Sequence, residues 1–216
     1  QPPHPRPPRP ATPPAATPKP APGPEPPPKR PCPRPKQEPP VLFHKLGEEN
    51  DWASNWHPSP FEHDNISFAH GEQFLIYMKL KEFGEDARAI DVLNTTDPAA
   101  IKAIGRQPMA RFADAARALR RPQVLHELMD LKFDNNPDLA AALLATGGRI
   151  IGEASPTDAV YGIGLKATDW RATLPGHWPT AATNLLGRAL MAKRDRLRRQ
   201  GPLPDADSSP AGEDDD

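Results

Sequence analysis

Glu153-Ala154-Ser155-Pro156-Thr157-Asp158 gathers two carboxylates, a serine hydroxyl and a proline within six residues. The segment follows the apolar pair Ile150-Ile151 and precedes the turn Gly162-Ile163-Gly164. Such a composition packs poorly and suits a polar site at the rim of a core, just past a buried strand. Where Glu153 and Asp158 face one cleft, their repulsion raises one pKa and separates an acid from a base. General acid–base hydrolysis uses that separation. One carboxylate activates water or stabilises developing positive charge while another group protonates the leaving group. The plainer reading of Glu153 is a buried acid paired with backbone amides or with Arg106.

Other residues offer chemistry of the same kind. Glu72 stands at the start of a helical pattern, just after His70-Gly71. It is either a first-turn acid that balances the helix dipole or a carboxylate aimed into a pocket. Lys79 lies two turns further along the same face. Asn55 and Trp56 combine directional hydrogen bonds with an apolar plane on which a base or ribose can rest. They can equally be a core Trp beside an Asn turn. Asn184 is either a ligand-facing residue or the N-cap of the last helix. Arg106 and Lys132 are the phosphate candidates. An activated lysine can also form a Schiff base with an opened ribose, so Lys132 carries that alternative.

Five motifs occur in one order: Ser54-Asn55-Trp56 with His57-Pro58-Ser59-Pro60-Phe61; Gly71-Glu72-Gln73-Phe74-Leu75-Ile76-Tyr77-Met78-Lys79; Lys132-Phe133 with Asn136-Pro137; Glu153 to Asp158 with Gly162-Ile163-Gly164; and Asn184-Leu185-Leu186-Gly187 with Leu190-Met191 and Arg194. Together they resemble the NADAR, or YbiA-like, family over roughly Phe43 to Arg199. The resemblance implies an N-glycosidase: Glu72, Asp158, Glu153 and Lys132 as the catalytic set, and Ser54, Asn55, Trp56, Arg106, Ser155, Tyr161, Gly164 and Asn184 as substrate-binding residues, with no cofactor and no metal. It implies two substrate sets, phosphoribosylamino-pyrimidine intermediates of riboflavin synthesis and ADP-ribose attached to guanine in nucleic acid. A non-catalytic ADP-ribose or NAD-type binding module is the alternative, and an interaction scaffold built around the tails is a third reading. The chain departs from the family pattern in having Tyr161 where Trp is frequent, no Trp in Arg117-Ala118-Leu119-Arg120, and an insert from Lys166 to Thr183 with Trp170, His177 and Trp178. These departures bear on substrate identity more than on the reaction.

The elements that must position these residues are mostly helical. Val41-Leu42-Phe43, Ile66-Ser67-Phe68 and Arg149 to Ala154 read as strands, and Trp52 to Phe61 as a loop. Helices are expected over Glu72 to Phe83 with Gly84 as the stop, Asp86 to Leu93, Pro98 to Ile104 after the Asp97 N-cap, Met109 to Phe133 interrupted at Pro122, Asp138 to Ala145, and Asn184 to Arg199. The expected fold is α+β, a mostly helical single domain packed around a small sheet.

Composition divides the 216-residue chain into three parts. Residues 1–40 hold 20 of its 32 prolines and a net charge of +5, which predicts an extended, disordered tail dispensable for activity. Residues 41–200 are neutral and of one-domain size. Residues 201–216 carry six acids and no base, a second disordered tail. Pro7-Pro8-Arg9-Pro10 is compatible with an SH3-type groove and the basic arm with nucleic acid, but a solvated spacer is the expected role, and a tail partner is unknown. The single cysteine, Cys32, excludes an intramolecular disulfide and a cysteine-based metal site. The seven histidines are scattered, none spaced H-x-x-x-H. Gly162-x-Gly164 lacks the rest of a dinucleotide fingerprint, and no phosphate-binding P-loop occurs. With no 18-residue apolar run and no signal-type segment, a membrane role is not expected and a reducing, cytoplasmic setting is.

Overall fold

The computed structural model describes residues 38–110 and 113–201. The expectations for the two tails, residues 1–37 and 202–216 above all, lie outside the described residues. Between them the chain runs β1 (Val41–Phe43), β2 (Pro58–His63), β3 (Ile66–His70), α1 (Gly71–Glu82), α2 (Asp86–Leu93), α3 (Pro98–Arg106), α4 (Asp114–Asp134), α5 (Pro137–Ala145), β4 (Ile151–Glu153) and α6 (Leu185–Gln200). This is an α+β fold in which helix dominates. The strands form two separate pairs: β1 lies parallel to β4, with Phe43 opposite Glu153, and β2 is antiparallel to β3, with Phe61 opposite Phe68.

Helix α1 is the central element. Phe74, Leu75, Ile76 and Leu80 are buried on several of its faces, so it packs on β3, α2, α3 and α4. Its start is fixed twice. The His70 imidazole accepts from the Gln73 N–H at 3.2 Å, and the Gln73 side chain accepts from the Ala69 N–H while donating to the carbonyls of Val92 and Thr95. Around α1 the main core gathers Phe43, Phe61, Phe68 and Ile151 from the strands and Leu125, Leu128, Met129, Phe133, Leu143 and Leu190 from the helices. A second cluster, Ile76, Leu80, Ala89, Val92 and Ile101, seats α2 and α3.

Two elements differ from the sequence expectation. Pro58 and Pro60 do not prevent a strand, because β2 alternates exposed Pro58, Pro60 and Glu62 with buried Ser59 and Phe61, so both rings face outward. Pro122 does not interrupt α4, which is continuous from Asp114 to Asp134. Proline removes one internal hydrogen bond, but the following turns bury Val124, Leu125, Leu128, Met129 and Phe133. Helix α4 is tied to α6 by Lys193, whose Nζ lies 2.9 Å from Asp130 and 2.5 Å from Asp134.

Candidate functional site

The loop Ser54–Trp56, the first two turns of α1, helix α3, the first half of α4 and the turn after β4 enclose a cleft of about 800 Å³. Each wall is set by local rules. The loop is bonded to the start of α1, with the Glu72 N–H donating to the Asn55 carbonyl at 2.8 Å. Helix α3 begins at Pro98 because Asp97 accepts from the Ala99 and Ala100 N–H groups, and it points Lys102 and Arg106 into the cleft wall. The turn after β4 is held by Asp158, whose Oδ1 accepts from the N–H groups of Val160 and Tyr161, both at 2.8 Å. Gly162 closes that turn. A Cβ there would lie 2.7 Å from the Glu153 carbonyl oxygen and 2.9 Å from that of Asp158, so no larger residue leaves both in place.

Glu72, Glu153 and Asp158 all line the cleft. Burial, with the Asp158 charge adding to it, pushes the Glu72 carboxyl up to about 7 against the opposing pull of Lys102, Asn55 and Lys79. Burial also pushes Glu153 up to about 7, reinforced by Asp158 and Glu72 and opposed by Lys102. Near neutral pH such a pair holds one proton where it can be given away. Asn55 is itself buried. Its side chain reaches the Glu72 carboxylate, while its Oδ1 has no hydrogen-bond partner. Trp56 presents its ring with the Lys102 Nζ 4.6 Å from the ring centroid and the His70 ring 5.1 Å away.

A second region of the cleft is basic. The Lys79 Nζ donates to the Gly105 carbonyl at 2.7 Å, and Arg117 and Arg121 from α4 depress its pKa after burial does. Arg117 is nearly buried, bonded to Glu82 at 3.2 Å, and Arg121 pairs with Asp114. Glu72 and Lys79 are seven residues apart on α1, so the acidic and basic regions are separated by roughly 10 Å along the helix.

Of the residues singled out from sequence, Glu72, Glu153, Asp158, Ser54, Asn55, Trp56, Arg106, Ser155 and Tyr161 line this cleft. Lys132, Asn184 and Gly164 do not. Lys132 is fully buried and its Nζ donates to the carbonyls of Trp52 at 2.8 Å and Ser54 at 2.7 Å; burial pulls its pKa down to about 7. Its amine is bonded to the backbone next to the cleft-lining Asn55 and Trp56 and does not itself line the cleft. Asn184 is the N-cap residue of α6, with a left-handed backbone (φ 46°) and no side-chain capping bond; its Nδ2 donates instead to the Ile151 carbonyl at 2.9 Å, and it does not line the cleft. Gly164 has a φ of 69° and packs against Ala159 and Pro179. Lys45, Lys102, Arg117 and Arg121 are cationic lining residues that sequence reading passed over. The Arg117 and Arg121 spacing, one helical turn, was the available signal.

Among the described residues no group of three His, Cys, Asp or Glu side chains is arranged to hold a metal ion, and no helix is long and apolar enough to cross a membrane.

Comparison with known proteins places this arrangement. The chain is 31% identical over 163 residues to a protein of Acanthamoeba polyphaga mimivirus named as an N-glycosidase, covering 72% of this chain and 94% of that one. It is 30% identical to the protein irg-1 of Caenorhabditis elegans, over 67% of this chain and 74% of the relative. A Nostoc punctiforme protein, also named as an N-glycosidase, is 27% identical over 73% of this chain and 92% of its own length. The NMR structure of the Escherichia coli protein YbiA shares the fold, with a TM-score of 0.60 at 22% identity over 76% of this chain and 88% of that one. The NADAR domain model matches residues 42–198, and the chain belongs to the NADAR family.

Proposed function

We propose that the cleft hydrolyses the N-glycosidic bond between a phosphorylated ribosyl unit and a nitrogenous base. Family membership and two relatives named as N-glycosidases over more than nine-tenths of their length make the chain an N-glycosidase-type hydrolase. The observation that carries the finer reading is the pairing of two carboxyls raised to about 7 with a lysine and arginines further along the same cleft.

In this reading the base rests on Trp56, and Asn55 orients Glu72 against it. Of Glu72 and Glu153, the one that retains its proton gives it to the departing base nitrogen. Asp158 and the ionised partner stabilise positive charge at the anomeric carbon and activate the water that attacks it. Phosphate lies towards Lys79, Arg106 and Arg121, so that charge on the substrate fixes which bond meets the acids. Both phosphoribosylamino-pyrimidines and ADP-ribosylated guanine fit this chemistry. The cleft volume is at the upper end of small-molecule sites, which leaves room for the larger of the two.

Incubation of the protein with a panel of phosphoribosyl and ADP-ribosyl adducts, followed by mass-spectrometric detection of free base, tests the proposal. Release of base from at least one phosphorylated riboside, and slower release from its dephosphorylated form, is the expected result. Tight binding of ADP-ribose without release from any adduct would instead favour a binding module.

A further inference from the structure

Lys102 has no place in the family motifs quoted above, yet this exposed residue lines the cleft. It projects from α3, across the cleft from the start of α1, and its Nζ stands over the Trp56 ring at 4.6 Å from the centroid. Among the described residues Lys102 takes part in no ion pair. Ammonium over an indole is held by the ring quadrupole, an attraction that is modest at an accessible site. The same ammonium is the one cation that acts on both Glu72 and Glu153. The charged groups that share the cleft with the pair are Lys45 after β1, Lys79 from α1, Lys102 and Arg106 from α3, Arg117 and Arg121 from α4 and Asp158 from the turn after β4; of the lysines, Lys102 acts on both acids, while Lys79 acts on Glu72 and donates to the Gly105 carbonyl.

We propose that Lys102 belongs to the reaction centre: it is the counter-cation of the Glu72, Glu153 and Asp158 group, and it covers the Trp56 ring until a planar base takes its place. This rests on the N-glycosidase reading for its consequence but not for its geometry. Three carboxylates in one partly buried cleft repel one another, and a flexible cation that can approach any of them limits how many protons they must hold. The ring that would stack the base is already covered by that cation. Entry of a base therefore moves Lys102, and stacking becomes linked to the charge of the acids that act on the glycosidic bond. A cation retained in the site also disfavours ligands that bring positive charge to the base end, which selects for neutral, planar leaving groups.

The test needs no substrate. The side-chain carboxyls of Glu72 and Glu153 are followed by carbon-13 NMR across a pH titration in the wild-type chain, in Lys102→Met and in Lys102→Arg, with Glu72→Gln and Glu153→Gln supplying the assignments. Loss of the cation is expected to move both titrations upward by about half a pH unit or more, and arginine is expected to restore them. A folded Lys102→Met variant whose two carboxyls titrate where the wild type's do overturns the proposal, as does an arginine variant that behaves like methionine. Base release measured on the same variants separates the two readings. A bell-shaped profile shifted to higher pH in Lys102→Met supports both. Shifted titrations with no base release from any adduct uphold the role of Lys102 and remove the N-glycosidase reading.

Discussion

Lys132 carries an amine into the core and gives it two backbone carbonyls, those of Trp52 and Ser54, as acceptors. Burying such a group costs more than most side chains return, so its value lies in what those carbonyls belong to. They belong to the segment that leads into Asn55 and Trp56, and the Asn55 carbonyl in turn receives the Glu72 N–H. A lysine that sequence reading set against phosphate or an opened ribose thus works as a strut behind the site. Replacing it by methionine removes the donor from both carbonyls and leaves that of Ser54 with only the His57 N–H, which is expected to cost about 1–3 kcal/mol in urea unfolding. Cyanoborohydride added during turnover is expected to leave Lys132 without a substrate adduct; a peptide carrying ribose on this residue would contradict the strut. The carboxylates were easier to read than the lysines. Their neighbours in sequence, a proline and a glycine turn for Asp158 and a helix start for Glu72, already mark places where a core meets solvent.

At the scale of elements, most of the helices were legible because their starts are written locally, as in Asp97-Pro98 and Asn136-Pro137, and because their apolar spacing is regular. The β2 strand was not. Two prolines in Pro58-Ser59-Pro60-Phe61 argue for a loop unless one knows that the pleat turns both rings outward. The continuity of α4 through Pro122 depends on packing against α1 and α6, which no local signal reports. The motif Asn184-Leu185-Leu186-Gly187 was legible as a motif but not in its purpose. In the fold it clamps α6 onto β4: Asn184 donates to the Ile151 carbonyl, and at Gly187 a Cβ would fall 2.1 Å from that same oxygen. Gly187→Ala is therefore expected to destabilise the protein by roughly 1–3 kcal/mol or more, through forced separation of helix and strand. Gly148→Ala, where a Cβ meets nothing within 4 Å, is expected to be near neutral. Equal unfolding midpoints for the two variants would count against the clamp.

Across the whole molecule, three buried ionisable groups near the site pull stability in opposite directions as pH changes. Glu72 and Glu153 have their carboxyls raised from 4.5 to about 7, so between these values the folded state binds more protons than the unfolded one and stability falls as pH rises. Lys132 has its amine lowered from 10.5 to about 7, so above about 7 the unfolded state binds more protons and stability recovers. The three together predict a minimum near neutral pH, with a fall of several kcal/mol from the acidic side. Urea unfolding at about pH 5, 7 and 9.5 checks this. Glu72→Gln with Glu153→Gln should flatten the acidic limb and Lys132→Met the alkaline one, and a wild-type maximum at pH 7 would show that other groups dominate. Such a cost at the working pH is tolerated when the same groups serve a reaction, and the central claim is that they do. Single-turnover release of base from a phosphorylated riboside, compared among wild type, Glu72→Gln and Asp158→Asn, tests it most directly. Both substitutions keep shape and hydrogen bonding while deleting the charge. The account predicts that each variant folds, still binds the ribosyl phosphate, and releases base about 10²- to 10⁴-fold more slowly. Folded variants that release base within a factor of a few of wild type would contradict it.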